Sequence, residues 1–219
     1  MKIYSLPKQL KTIIFDIDGT LYTSSAYVFE QVDAQVRHLA HIRGKDEDAV
    51  RKEIFDYRKR WAAEHGGKKI SLGNTLTAFG IPIEESIRWR ETLLSPEKYL
   101  RKDVRLARVL DSLADRYRLI CVTNNPVAAA RKTLDVLGVS LQLPDIIGLD
   151  TCFKSKPAPE MLHLAAQMTG ASLEECLSVG DRYDIDLALP LELGMGAILV
   201  SGVEEVYTLE EILLRQLQK

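Results

Sequence analysis

The spacing of hydrophobic and polar positions changes twice along the chain. An apolar run over residues 11–15, rich in β-branched and aromatic side chains, ends at Asp16, Asp18 and Gly19. This pattern predicts a buried strand that runs into a tight turn. Asp16 then lies at the carboxyl end of a strand, which is the edge where open parallel sheets bind their ligands.

Residues 22–102 have the spacing of helices. Apolar residues recur at helical intervals in two segments, Phe29-Val32-Val36-Leu39 and Val50-Ile54-Tyr57-Trp61. They predict two amphipathic helices. Turn signals follow at Gly66-Gly67, Gly80-Ile81-Pro82 and Ser95-Pro96, and we find no strand pattern in this region.

From residue 104 onward, helical and strand-like segments alternate. The predicted helices are 104–115, 126–137, 159–169, 185–193 and 209–217, and the predicted strands are 118–123, 146–149, 176–179 and 197–200. This alternation indicates βαβ crossovers and a parallel sheet. Since a lone strand at residues 11–16 is not stable, it must pair with that sheet. The predicted fold class is therefore α/β, with a core of residues 1–21 and 103–219 and a helical insertion of residues 22–102 that caps the carboxyl edge.

The composition narrows the range of partners. The 219 residues carry a formal charge of -2, with 46% hydrophobic and 27% charged residues, which is usual for a globular protein. The basic residues are dispersed, so we expect no nucleic acid polymer as a partner. The three cysteines have no metal-binding spacing and suit a reducing compartment. No stretch resembles a membrane span or a secretion signal, so we expect a cytoplasmic protein without membrane contact.

Polar side chains follow four of the predicted strands. They are Asp16 and Asp18, then Thr123 to Asn125, then Lys156, and finally Asp181, Asp184 and Asp186. Since parallel strands end at one edge of a sheet, we expect these groups to converge. Carboxylates suit Mg²⁺, a hydroxyl and main-chain amides suit phosphate oxygens, and a lysine neutralises both. Each set also has a purely structural interpretation as a turn, a helix cap or a solvated loop residue.

The motifs that contain these residues carry a family resemblance. D-I-D-G-T-L-Y, the strand ending T-N-N, K-P-A-P-E and V-G-D-x-x-x-x-D occur in that order. They resemble the four motifs of the haloacid dehalogenase-like (HAD) hydrolase superfamily over the whole core. The helical insertion directly after the first motif resembles the C1-cap branch of that superfamily, which has a Rossmann-like core.

The resemblance implies roles for the first pair of acids. Asp16 would be the nucleophile that takes the phosphoryl group as an aspartyl-phosphate. Asp18 would be the general acid and then the general base, with its backbone carbonyl on Mg²⁺. Dehalogenases of the superfamily lack an acid at this second position, because a halide needs no proton whereas an alkoxide does. Asp18 therefore favours a phosphatase or a phosphomutase.

The resemblance also implies roles for the other motifs. Thr123 and the Asn124 amide would hold the phosphoryl oxygens, and Lys156 would stabilise their charge. Asp181 would ligate Mg²⁺ together with Asp16 and Asp18. Asp186 would support Lys156 or a metal-bound water, and Asp184 would be a solvated or supporting acid.

The expected function is that of a Mg²⁺-dependent phosphatase for a small phosphomonoester such as a nucleotide, a sugar phosphate or a phosphoglycolate-like compound. The alternatives are a sugar phosphomutase, a 5′-nucleotidase, which residues 57–80 faintly resemble, and a non-catalytic binding protein. In the cap, Trp61, His65 and Lys69 are candidates for substrate selection, although Trp61 equally completes the apolar stripe of its helix. The pattern predicts no oligomeric state.

Overall fold

The structure, a computed structural model, describes residues 1–217. The chain divides into two compact units. The first contains Met1–Ser25 and the chain from Pro96 onward, and the second contains Ala26–Ser95. The sequence pattern places these boundaries at 21/22 and 102/103, so residues 22–25 and 96–102 belong to the first unit rather than to the insertion.

The first unit is built on a mostly parallel sheet. Within residues 1–217 its six strands are β1 (Lys2–Ser5), β2 (Thr12–Phe15), β3 (Arg118–Val122), β4 (Ile146–Ile147), β5 (Cys176–Gly180) and β6 (Gly196–Leu199). Their order is β1-β6-β5-β2-β3-β4. β2 lies between β3 and β5 and is parallel to both, with Phe15 paired to Cys121 and to Val179. The residues that follow these three strands therefore leave the sheet at one edge.

Two strands differ from the sequence prediction. β1 is not predicted, because its four residues include no apolar run and three of them are exposed. It pairs antiparallel with β6 at the end of the sheet. β4 is shorter than predicted, because the chain turns at Gly148 and begins a helix at Leu149.

The second unit is helical, as its sequence pattern predicts. Its helices are α1 (Ser25–Arg43), α2 (Glu47–Glu64), α3 (Leu72–Ala78) and α4 (Ile83–Leu93). Residues 26–95, all of which are described, contain no strand. The buried residues of its core are Val36, Leu39, Ala40, Val50, Ile54, Leu72, Leu76 and Trp89.

Only half of the predicted apolar stripe of α1 is buried, since Val36 and Leu39 lie in the core whereas Phe29 and Val32 do not. Phe29 is 63% exposed and Val32 is 38% exposed, whereas Asp33 and Gln35 are buried. Asp33 accepts hydrogen bonds at 2.7 Å from Arg51 Nε, and Gln35 accepts one at 3.2 Å from Arg90 Nε. Polar residues are buried here because partners on α2 and α4 satisfy them, which hydrophobic spacing does not reveal.

The remaining helices belong to the first unit. They are α5 (Val104–Ala114), α6 (Val127–Leu137), α7 (Leu149–Cys152), α8 (Pro159–Thr169), α9 (Ala188–Glu192), α10 (Val203–Val206) and α11 (Leu209–Leu217). The predicted helix over 185–193 is a π-helical turn, Tyr183–Leu187, followed by α9. Pro126 caps α6 from the preceding position instead of occupying its first turn. Strands alternating with helices confirm the predicted α/β fold.

One hydrophobic cluster of the first unit lies between the sheet and α8. Ile14, Ile120 and Val122 from the sheet pack with Met161 and Ala165 from the helix. This packing holds the ends of β2 and β3 side by side, together with the loop that precedes α8.

The three cysteines are buried or half-buried. Cys121 and Cys176 are buried in strands, and Cys152 lies at the end of α7; all three are free thiols. Within the described residues, the apolar helices are too short or too polar to cross a bilayer.

Candidate active site

Asp16 is the first residue beyond β2 and lies at the centre of the polar edge. Its backbone N–H donates to Val179 O at 2.9 Å, which extends the pairing with β5 by one residue. Its side chain is buried, with 2% exposure. Thr20, one turn further along, donates a long hydrogen bond to Asp16 Oδ2 at 3.3 Å. The strand and the following turn together fix the direction of this carboxylate.

Lys156 reaches Asp16 from the loop before α8. Its Nζ donates to Asp16 Oδ1 at 2.5 Å, to Asp186 Oδ1 at 2.7 Å and to Val122 O at 2.9 Å. Its backbone N–H donates to Asn124 Oδ1 at 2.6 Å, so the loop itself is tied to the end of β3. All three protons of the buried ammonium are thus engaged, and the predicted meeting of Lys156, Asp16 and Asp186 is present.

The burial of this cluster changes its proton affinities. Burial raises the pKa of Asp16 to about 7, against the opposing effect of Lys156, and the charges of Asp186 and Asp18 raise it further. Burial alone would lower the pKa of Lys156, but the carboxylates of Asp16 and Asp186 hold it above its usual range. Lys156 therefore stays charged, and Asp16 takes up a proton more readily than an ordinary carboxyl group.

Replacing Lys156 with methionine should strongly destabilise the metal-free protein. Two buried carboxylates would lose their shared cation, which costs about 3–5 kcal/mol in the free energy of unfolding. The loss should be smaller at pH 5 than at pH 8, because a protonated Asp16 leaves one fewer buried charge. Urea unfolding in the presence of a chelator measures both values.

Lys154→Met is the matched control for this experiment. Lys154 lies in the same loop, but its ammonium pairs with Glu160 at the exposed surface. Exposed ion pairs contribute little, so this variant should unfold like the wild type. Equal losses in the two variants would contradict the assignment of Lys156 as the cation of the cluster.

Asp181, at the end of β5, completes a group of carboxylates suited to a cation. Oxygen atoms of Asp16, Asp181 and Asp186 lie within 4.8 Å of one another. Asp181 Oδ1 is buried and accepts no hydrogen bond among the described residues. Burial also raises the pKa of Asp181. A buried oxygen without a donor, beside two further carboxylates, fits a divalent metal ion with oxygen ligands.

Gly19 makes room for Asp181. Its φ is +86°, and a Cβ at this position would lie 2.7 Å from Asp181 Oδ2. Both the backbone conformation and the space therefore require glycine here. The Asp-Gly turn after Asp16 thus has a geometric role beside the carboxylate group.

The Asp18 side chain lies outside this group of carboxylates. Its Oδ1 accepts a hydrogen bond from Tyr22 Oη at 2.7 Å, and its Oδ2 accepts one from Asn125 Nδ2 at 2.8 Å and a weak one from Thr123 Oγ1 at 3.4 Å. The Asp18 carboxylate is thus directed toward the end of β3, away from the side on which Asp181 and Asp186 stand. Two acids separated by one residue therefore occupy different surroundings.

Asn125 belongs to a polar set that the sequence places at the sheet edge, but sequence reasoning assigns it no role. It is buried, and its side chain positions Asp18. Its only sequence signal is the second asparagine of T-N-N, which reads equally as a turn residue. Asp186 likewise joins the carboxylate group, whereas the sequence suggests a supporting role for it.

The end of β3 holds the two predicted phosphate-binding residues. Thr123 is buried, and its Oγ1 accepts a hydrogen bond from Asn125 N at 3.1 Å. This is the structural turn contact that the sequence leaves open. The first amide of α6, Val127 N, is satisfied by Asp150 Oδ1 at 2.9 Å. Phosphate binding by Thr123 and the Asn124 amide stays a prediction.

The predicted selectivity residues lie in the helical unit. Trp61 and His65 are stacked, with ring centroids 3.9 Å apart and planes at 8°, and His65 Nδ1 lies 2.7 Å from Trp61 O. Lys69 is exposed. Asp184, at the edge of the other unit, is exposed as well.

Comparison with known proteins gives relatives of similar length and fold. The phosphoglycolate phosphatase of Salmonella typhi is 27% identical over 198 residues, which cover 83% of this chain and 78% of the relative. That of Rhodospirillum rubrum is 29% identical over 199 residues, covering 87% and 79%. The crystal structure of a HAD phosphatase from Thermococcus onnurineus superposes with a TM-score of 0.63 at 20% identity, covering 93% of this chain and 98% of that one. A family model for haloacid dehalogenase-like hydrolases matches residues 10–191. The chain therefore belongs to the haloacid dehalogenase-like hydrolase family, as its four motifs predict.

Proposed function

We propose that this protein is a Mg²⁺-dependent phosphatase that hydrolyses a small phosphomonoester through an aspartyl-phosphate on Asp16. The observation that carries the proposal is the separation of two acids. Asp16 is paired with the buried Lys156, whereas Asp18 is turned away and held by Asn125 and Tyr22. One carboxylate is thus placed to attack and the other to move a proton. The two relatives named above as phosphoglycolate phosphatases support a phosphate ester as substrate.

Charge neutralisation makes the attack feasible. A carboxylate that approaches a phosphate meets like charge, and phosphoryl transfer depends mainly on positioning and on electrostatic stabilisation. Lys156 supplies one positive charge directly at Asp16. The carboxylates of Asp16, Asp181 and Asp186 would hold Mg²⁺, which when bound supplies further positive charge beside the phosphoryl oxygens.

Asp18 accounts for the two proton transfers. Its carboxyl group would protonate the leaving oxygen as the phosphoryl group passes to Asp16, and would then accept a proton from the water that hydrolyses the aspartyl-phosphate. Hydrogen bonds from Tyr22 and Asn125 fix its orientation. A group that serves both steps must stay oriented between them, which this anchoring provides.

We propose further that the helical unit selects the leaving group. The motif residues given roles above would act on the phosphoryl group and the metal, so those residues would discriminate poorly between alcohols. Trp61, His65 and Lys69 are our candidates, since they offer an aromatic pair and a cation. For location we propose the cytoplasm, which the three free thiols support.

The test is a phosphate-release screen over nucleotides, sugar phosphates and phosphoglycolate, with Mg²⁺ and with a chelator. Release that requires Mg²⁺ and returns on its re-addition supports the proposal. Isomerisation of a sugar 1-phosphate without free phosphate would indicate a phosphomutase. Full activity in excess chelator would contradict the metal assignment, and no release from any ester would contradict the phosphatase.

Mg²⁺ binding should depend on pH through Asp16. Because the pKa of Asp16 is about 7, a proton competes with the cation below that pH, and the affinity for Mg²⁺ should fall about tenfold between pH 8 and pH 6. A raised pKa stabilises the metal-free protein at low pH, and this contribution is lost as the pH rises through 7. Mg²⁺ should therefore raise the Tm more at pH 8 than at pH 6.

Isothermal titration calorimetry in two buffers of different ionisation enthalpy measures both the affinity and the proton released. Asp184→Asn is the control, because this acid is exposed and should leave the pH dependence unchanged. An affinity that is the same at pH 6 and pH 8 would show that Asp16 is not a ligand with a raised pKa.

A further inference from the structure

Arg182 stands beside the metal-binding carboxylates and has no role in the mechanism above. It follows Asp181 directly, and its backbone N–H donates to Asp186 Oδ2 at 3.0 Å. Its Nε lies 3.5 Å from Asp181 Oδ1 and 3.8 Å from Asp186 Oδ2. The backbone of this arginine is therefore fixed at the site, and its guanidinium is held near two of the carboxylates.

The terminal nitrogens of Arg182 remain available to a ligand. Across residues 1–217 the side chain makes these two ion contacts through Nε and no hydrogen bond. The side chain is 47% exposed, whereas that of Lys156 is 7% exposed with every proton engaged. Arg182 thus offers a charged, planar guanidinium, with several N–H donors, beside Asp181 and Asp186.

The charges around the site indicate what the Arg182 guanidinium could bind. Asp16, Asp18, Asp181 and Asp186 gather four carboxylates at this edge of the sheet, two of them within 4 Å of Arg182 Nε. The same four carboxylates would repel any substrate with a negative charge beyond its phosphoryl group. The guanidinium of Arg182, next to Asp181, would offset that repulsion locally.

We propose that Arg182 is a specificity-determining residue that binds an anionic group, a carboxylate or a second phosphate, on the leaving part of the substrate. This inference rests on the proposed phosphatase function and names the class of ester that the site prefers. A guanidinium binds either anion through two parallel hydrogen bonds. Because Arg182 adjoins the metal ligands, the anionic group must lie only a few bonds from the ester oxygen. The preferred substrates are therefore short phosphomonoesters with a second negative charge.

The test compares Arg182→Gln with the wild type on matched esters. Phosphoglycolate and ethylene glycol bisphosphate carry a second anion, 2-hydroxyethyl phosphate is their neutral counterpart, and p-nitrophenyl phosphate reports turnover without this contact. Loss of charged hydrogen bonds should lower kcat/KM about 10- to 100-fold for at least one anionic ester, mainly through KM, and less than about threefold for the other two esters. Comparison of the two anionic esters distinguishes a carboxylate from a second phosphate.

Three controls separate recognition from a structural effect. Arg182→Lys should recover part of the loss, because it keeps the charge but not the planar guanidinium. Lys154→Gln, which removes an exposed cation from the loop before α8, should leave the preference between esters unchanged. Mg²⁺ affinity by calorimetry should stay within about threefold of the wild type in Arg182→Gln, which shows that the carboxylate group is intact.

The possible failures are distinguishable. An equal loss on all esters, or a large change in Mg²⁺ affinity, would show that Arg182 acts on the phosphoryl group or the metal, and would overturn the inference. A wild type that hydrolyses p-nitrophenyl phosphate without preferring an anionic ester would overturn it too. A wild type that hydrolyses no ester would instead refute the proposed function.

Discussion

Asp16→Asn should lower kcat for every phosphomonoester about 10⁴-fold or more. The amide is nearly isosteric with the carboxylate but is not a nucleophile, so no aspartyl-phosphate can form. The fold should persist, because Lys156 keeps its hydrogen bonds to Asp186 and to Val122 O. Phosphate release measures the loss, and circular dichroism with urea unfolding checks the fold.

Two comparisons make this result specific to the nucleophile. Beryllofluoride, which mimics a phosphoryl group on a carboxylate, should bind the wild type in the presence of Mg²⁺ and not the variant. Asp184→Asn should keep nearly full activity, because Asp184 is exposed and lies outside the group formed by Asp16, Asp181 and Asp186. Substantial activity in Asp16→Asn, with deamidation excluded by mass spectrometry, would refute the covalent mechanism.

Asp18→Asn should separate the two halves of the reaction. With an alkyl phosphate the leaving oxygen needs a proton, so kcat should fall about 10²- to 10⁴-fold. With p-nitrophenyl phosphate the leaving group departs without one, but the water that attacks the aspartyl-phosphate still lacks its base. Rapid mixing should then show a burst of nitrophenol equal to the enzyme concentration, followed by slow turnover.

Tyr22→Phe is the matched control for Asp18→Asn. It removes the hydrogen bond to Asp18 Oδ1 but leaves the one from Asn125 to Oδ2, so kcat should fall far less and without a burst. If Asp18→Asn slowed alkyl and nitrophenyl esters equally and showed no burst, Asp18 would act in positioning rather than in proton transfer.

The layout of the site could be predicted because strand ends are visible in the sequence. Apolar runs that stop at polar residues identify Asp16, Thr123 and Asp181, and parallel pairing then brings them to one edge. Lys156 joins these residues because it lies in the short loop that precedes α8. The comparisons confirm the family and fold that these motifs indicate.

Other features depend on contacts that spacing does not encode. The orientation of the Asp18 carboxylate is fixed by a hydrogen bond from Asn125, which is 107 residues away in sequence. The burial of Asp33 on α1 is decided by Arg51 on the next helix. The edge strand β1 contains no apolar run from which it could be predicted. In each case a partner satisfies a polar group, and such partners become apparent only in three dimensions.

The central position of β2 also determines when the site can form during folding. Asp16 and Lys156 are 140 residues apart, so their pairing requires closure of a very long loop. Residues 26–95 are contiguous, and their helices can form from local contacts well before that closure. We therefore expect the four site carboxylates to meet late, after the helical unit and the βα segments have collapsed. Their mutual repulsion then opposes only the last stage of folding, when Lys156 arrives with the loop that carries it.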